Sequence, residues 1–334
     1  MGDLAKKITD IALSCNNFGI LEPAKIGESN LNNELLFFIK PEVFLLDERF
    51  NIENTVGLIL DTLEKFNAKI DGIAAVNGRA LDKYNIMASH YGFINVLSNS
   101  ASSVVDQESR NKIESAFGIS TGNYEILGGH EYLRKYEVET ENQLDSLWFA
   151  EKSIKIRSGF YVRLIKKNGD NIILVNGFHP KQLSYFTDPS HRIVLMLIHS
   201  DNSWYELKNK MVGATFPENA DKNSIRGILC SNANKYGFKE VTIANNCVHL
   251  SAGPFEAFSE IMNFFGKLIN ADVSNIHPLI LKRMLAMGIS REDAIASLKN
   301  PKIVFGGKDT DLFTATEDKD TDTAIQIFKG SIGH

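Results

Sequence analysis

Apolar residues recur along this chain with two spacings, and the switches between them mark out its elements. Leu4, Ile8 and Ile11 fall on one face of a helix predicted over residues 3–14. Residues 35–39, LLFFI, form an unbroken apolar run of strand length, and Pro41 closes it. Val56, Ile59, Leu60 and Leu63 return to helical spacing over residues 53–66. AKIDGIAAVNG predicts a strand ending at Asn77-Gly78, and residues 80–91 predict a helix. The same alternation resumes with RIVLMLIHSD, a strand from Arg192. Trp204, Leu207 and Met211 then mark a helix that stops at Gly213. A long polar loop leads towards another helix near Arg226. EVTIANNCVHL reads as a strand, and Phe255, Phe258, Met262 and Phe265 predict a helix over residues 254–270.

Residues 92–176 have a different texture. They begin rich in Ser and Asn, turn at Gly118 and Gly128-Gly129, and pass through a helix-like ENQLDSLWFAEK. Two β-rich runs then meet across Asn168-Gly169, a strong hairpin signal. A separate small α+β unit is expected there. Residues 271–334 show two short helix patterns, HPLILKRMLAMG and SREDAIASLKN, and then a polar stretch. The remaining strand–helix alternation predicts an α+β protein with a ferredoxin-like βαββαβ core, although a doubly wound sheet has the same element order. The expected organisation is a helical arm over 1–33, a discontinuous core over 34–91 and 177–270, an inserted unit over 92–176, and an extension over 271–334.

Composition narrows the function classes. A hydrophobic fraction of 43% and a charged fraction of 23% over 334 residues describe an ordinary globular chain, long enough for two domains. A net charge of -5 gives no support for a general nucleic-acid binder. Cys15, Cys230 and Cys247 are far apart and show no CxxC spacing, which argues against a disulfide framework or a zinc site. No apolar core of a signal peptide opens the chain, and no run reaches membrane-spanning length. The expectation is a soluble, cytoplasmic protein.

Candidate chemistry concentrates in residues 246–260, NCVHLSAGPFEAFSE. His249 sits at a predicted strand end beside a helix that opens at Pro254, where a missing N–H costs nothing. Such a helix start suits phosphate. Glu260 can reach back to the imidazole and fix its tautomer. Lys40, Thr215, Arg226 and Asn246 also lie at strand ends or in loops, and all are suitable donors to phosphate oxygens. A neutral imidazole can attack phosphorus and later release the phosphoryl group. Other chemistries fail. No GxGxxG or GxxxxGK[ST] follows a strand. No G-x-S-x-G surrounds Ser251. Asp318, Asp320 and Asp322 open like a calcium loop, but Thr323 and Lys329 stand where glycine and glutamate are needed.

In order, FFIKPE, HY, GFHPKQLSYF, MVGAT, SIRG, NCVH and the spaced SE resemble the nucleoside diphosphate kinases. The resemblance implies that Lys40 contacts the terminal phosphate and that Tyr91 lies beside the nucleophile. It implies that Thr215 and Arg226 hold the distal phosphates and that Asn246 bonds the sugar. His249 then carries the phosphoryl group, with Ser251 beside it and Glu260 orienting the ring. The aromatic that stacks on the base falls at Phe178, or one residue on at His179. Mg²⁺ is implied as a cofactor held through the nucleotide phosphates, with no protein ligand. Nucleoside triphosphates and diphosphates are the implied partners, and a homo-oligomer the implied assembly. The chain departs from the family at Asn209, where an arginine is usual, with Lys208 and Lys210 flanking. Leu250 and Ala252 replace a small glycine and an aspartate, and the segment between Arg226 and Asn246 is long. Residues 92–176 stand between Tyr91 and Phe178, where the family clamps the base, a place suited to altering the acceptor or covering the site. Two alternatives follow: a phosphotransferase with a changed acceptor, or a nucleotide-binding regulatory protein without turnover.

Overall fold

The structure, a computed structural model, describes residues 2–120, 122–137, 139–268 and 275–333. The expected ends at residues 269–270 of the helix after His249, and the start of the extension at 271–274, lie outside the described residues. The strands in chain order are β1 (Phe18–Glu22), β2 (Asn33–Ile39), β3 (Lys69–Asn77), β4 (Glu125–Gly128), β5 (Ile154–Arg157), β6 (Phe160–Lys167), β7 (Asp170–Val175), β8 (Arg192–Ser200), β9 (Val248–Leu250), β10 (Lys302–Phe305) and β11 (Lys308–Asp311). The chain divides into two compact units, Met1–Tyr84 with Pro189–His334, and Asn85–Asp188.

The first unit is built on a five-stranded sheet in the order β1-β3-β8-β2-β9. Every pairing in it is antiparallel. The last four strands have the order consistent with the expected ferredoxin-like core, and none of them forms the parallel pairs of a doubly wound sheet. β2 is buried along its whole length, which explains its unbroken apolar run. On one face Leu35, Phe37 and Ile39 join a core formed by the helices Gly2–Ser14 and Arg49–Lys65. The helix Pro254–Ile261 packs on β2, and Phe38 lies against its continuation at Phe264.

Several expectations change in the structure. β1 was not foreseen, because its exposed positions Phe18 and Ile20 are apolar and mask the alternation. The helix expected over residues 80–91 is broken into Gly78–Lys83 and Ile86–His90, with Asn85 left-handed at φ 49 between them. The strand expected from residue 240 shrinks to β9. The long segment before it is not superfluous, since Tyr236, Phe238 and Val241 enter the core. The polar stretch of the extension is also structured. Leu312, Ala324, Ile325 and Phe328 bury against Phe255, Phe258 and Met262, so the extension covers the outer side of the helix that follows His249.

The second unit has a four-stranded sheet in the order β4-β7-β6-β5. β4 runs parallel to β7, and the other pairs are antiparallel. The predicted hairpin is present: Lys167 faces Asp170 across Asn168 and Gly169, both at positive φ. Alternate residues of β7 feed two cores. Ile172 and Leu174 meet Trp148 and Tyr132, while Ile173 and Val175 meet Leu97 and Phe160. Among the described residues of the chain, no helix is long and apolar enough to cross a membrane.

Candidate active site

β9 is an edge strand, and its register sets His249 opposite Phe38 of β2. The two rings stack with centroids 4.5 Å apart and an interplanar angle of 18°. A short loop then leads to Pro254 at the start of its helix. The helix brings Glu260 back over the strand, where Oε1 lies 2.9 Å from His249 Nε2. Ser251 Oγ donates to Glu260 Oε2 at 2.5 Å and accepts from the Leu36 N–H at 3.1 Å. The Glu260 side chain is 4% exposed and the imidazole 19%. With a carboxylate oxygen against Nε2, that nitrogen carries the hydrogen of the neutral ring, and the lone pair resides on Nδ1.

A second group lies at the neighbouring end of β2. Lys40 Nζ donates to Asn246 Oδ1 at 2.6 Å, and the Asn246 amide donates to the Thr215 carbonyl at 3.2 Å. Burial pulls the Lys40 pKa below the usual lysine value, against the opposing charge of Glu42. Arg226 is buried on a helix capped by Ser224. Its terminal nitrogens donate to the carbonyls of Gly213 and Val248, both at 2.8 Å, and so tie it to the strand that carries His249. Burial pushes its pKa down to about 10. Its Nε has no hydrogen-bond partner among the described residues. Cys247 joins the two groups in a left-handed conformation at φ 69. Glu42 Oε1 accepts from its N–H and the Lys40 N–H donates to its carbonyl, each at 2.8 Å.

The structure thus brings Lys40, Thr215 and Asn246 into one hydrogen-bonded group and His249, Ser251 and Glu260 into another. Tyr91 and Phe178 belong to the second unit. There Tyr91 joins two helices and meets His179 edge-on at 5.5 Å. Phe178 is half-buried against Trp148 and Tyr161. His179 is fully buried, bonded to Asn95 and Gln182, and burial lowers its pKa. The lysines flanking Asn209 are engaged by carboxylates: Lys208 by Glu317 and Lys210 by Asp221.

Two residues of this site escaped the sequence reading. Glu256 lies one turn before Glu260, and burial together with the Glu260 charge raises its pKa. The i, i+4 pair of glutamates behind a histidine was the available signal. Trp204, fully buried, donates its indole N–H to the Ser251 carbonyl at 2.9 Å, a long-range contact with no local signature. The groups gathered in this unit are cations, amides and carboxylates, among which Glu260 has both oxygens engaged. The cations and amides suit phosphate oxygens.

No family model matches the chain, and no curated protein matches it. Among solved structures it is similar to nucleoside diphosphate kinase from Encephalitozoon cuniculi, at 12% identity over 70% of this chain and 89% of that one, with a TM-score of 0.34. It is also similar to an NDP kinase from Pyrobaculum aerophilum, at 18% identity over 73% of this chain and 98% of that one, with a TM-score of 0.33. TM-scores of this size carry no argument about the site, so its chemistry rests on the side chains described above.

Proposed function

We propose that this protein is a phosphotransferase that moves the γ-phosphoryl group of a nucleoside triphosphate to a nucleoside diphosphate through His249. The observation that carries the reading is the His249–Glu260–Ser251 chain, which presents Nδ1 as the nucleophile. In the first half-reaction the Nδ1 lone pair forms a bond to the γ-phosphorus while the bond to the leaving diphosphate oxygen breaks. The ring then holds a positive charge with its hydrogen on Nε2, and the Glu260 carboxylate stabilises it. In the second half-reaction an acceptor oxygen takes the phosphoryl group, and the neutral imidazole returns. Lys40 and Arg226 supply positive charge near β9, and Thr215 and Asn246 supply donors. Mg²⁺, carried in on the phosphates, would neutralise their charge.

Incubation with γ-labelled ATP should give a phosphoenzyme that is acid-labile and base-stable. Equal labelling of wild type and His249→Ala would sink the mechanism. A second reading, a nucleotide-binding protein without turnover, draws support from Arg226, Lys208 and Lys210, each already bonded within the protein. Calorimetry that detects ADP and ATP binding, with no label on His249, would favour it.

A further inference from the structure

The loop that follows His249 is tied to β2 at Ser251, whose N–H donates to the Leu36 carbonyl at 3.1 Å. Ser251, Ala252 and Gly253 are small, and no side chain caps the helix at Gly253. Its other fixed points come from the C-terminal extension and from Trp204, which that extension holds in turn. The Asp318 N–H donates to the Ala252 carbonyl at 3.1 Å. The backbone of Thr316 crosses so closely that a Cβ on Gly253 would stand 2.7 Å from its carbonyl oxygen. Asp320 Oδ1 accepts from the Trp204 N–H at 2.8 Å, and the Trp204 indole in turn holds the Ser251 carbonyl. Lys208, on the turn after Trp204, pairs with Glu317 and lies 3.1 Å from Asp318. Thr321 anchors the far end of the segment on Asn33, at the start of β2.

We propose that residues 316–321 are a positioning element of the His249 site. They set the backbone of residues 251–253. Through Asp320, Trp204, Ser251 and Glu260 they also set the tautomer and orientation of the imidazole. The inference rests on the reading of His249 as the nucleophile. Its physical content is narrower: a hydrogen-bonded path runs from Asp320 to His249, and loosening its far end frees Ser251 to leave Glu260.

The test uses the full chain without nucleotide, and reads the neutral His249 ring by nitrogen NMR. Wild type should show the hydrogen on Nε2 alone. Gly253→Ala forces the segment away from the loop and changes no side chain of the site. Asp320→Ala removes the acceptor for Trp204. Both should give a mixture of tautomers, with label transfer from γ-labelled ATP slowed about tenfold or more. Asp320→Asn keeps Oδ1 and should restore the wild-type ring. A single wild-type tautomer in folded Gly253→Ala and Asp320→Ala overturns the proposal. If Asp320→Ala fails to fold, Gly253→Ala and Lys208→Met decide it on the same readout. A ring that responds to the segment in a protein that never labels would support the positioning element and sink the phosphotransfer reading alone.

Discussion

Which ring nitrogen of His249 holds the hydrogen decides whether Nδ1 can attack. Glu260 makes that choice as an acceptor at Nε2. Glutamine at 260 keeps the shape but turns one oxygen into a donor. Its amide can then face Nε2, which moves the ring hydrogen to Nδ1 and removes the lone pair from the attacking atom. Glu260→Gln is therefore expected to label on the order of 10²–10⁴-fold more slowly. It also exchanges a charged acceptor of two hydrogen bonds for a neutral one, at a loss of about 1–3 kcal/mol in urea unfolding. Labelling rates close to wild type would show that the tautomer does not limit the chemistry. The pair was legible in the sequence, because a strand end and the helix after it fix a local geometry. The rest of the path was not. Trp204 and Asp320 lie far from His249 along the chain, and only the tertiary fold connects them.

Among the elements, a buried charged node holds three strands in place. His199 on β8 is fully buried, with Nδ1 2.9 Å from Asp71 Oδ2 and Nε2 2.9 Å from Glu34 Oε1. Glu34 on β2 also accepts from Leu279 N–H at 2.7 Å, and so ties the extension's helix Leu279–Ala286 to the sheet. Burial raises the Asp71 pKa, but Lys69 and His199 outweigh it and bring the carboxyl below its ordinary 3.8. A carboxyl depressed in the fold contributes stability that is whole above pH 3.8 and is lost as pH falls through the lowered value. Asp71→Asn should cost about 3 kcal/mol near neutrality. The gap to wild type should narrow in acid below pH 3.8, as followed by denaturant titration at stepped pH. A gap that stays constant into acid would mean that the charge of Asp71 contributes nothing. No such node is visible in the chain, because β2 and β8 read simply as apolar runs. Those runs were legible because burial on both faces demands them. β1 and the helices Leu312–Thr316 and Thr321–Ser331 were not, since each becomes regular only by packing on an element distant in sequence.

For the whole molecule, the question is whether the two units depend on each other for folding. The chain leaves the first sheet at the end of β3 and returns at the start of β8. These strands are adjacent, with Asn77 facing Arg192 and the Gly78 N–H bonded to the His191 carbonyl at 2.9 Å. The second unit is thus an elaborated connection between two neighbouring antiparallel strands, a join that a hairpin loop can also make. Its sheet carries a core on each face, and buried Arg163 caps the carbonyl of Trp148 at the end of the helix Glu141–Phe149. A unit with its own two-sided core should fold alone. Residues 85–188 are therefore expected to unfold cooperatively in isolation. The remainder, rejoined from Tyr84 to Pro189 by a short glycine-rich linker, should keep its five-stranded sheet. Loop-closure entropy changes by only about 0.6 kcal/mol for each halving of a flexible connection. The rejoined protein should therefore unfold within about 2 kcal/mol of the corresponding transition in the full chain. Circular dichroism during urea unfolding of both pieces checks this. A rejoined first unit that is unfolded in water would show that its sheet needs the insertion. One that folds with His249 and Glu260 still paired would show that the first unit sets that geometry by itself.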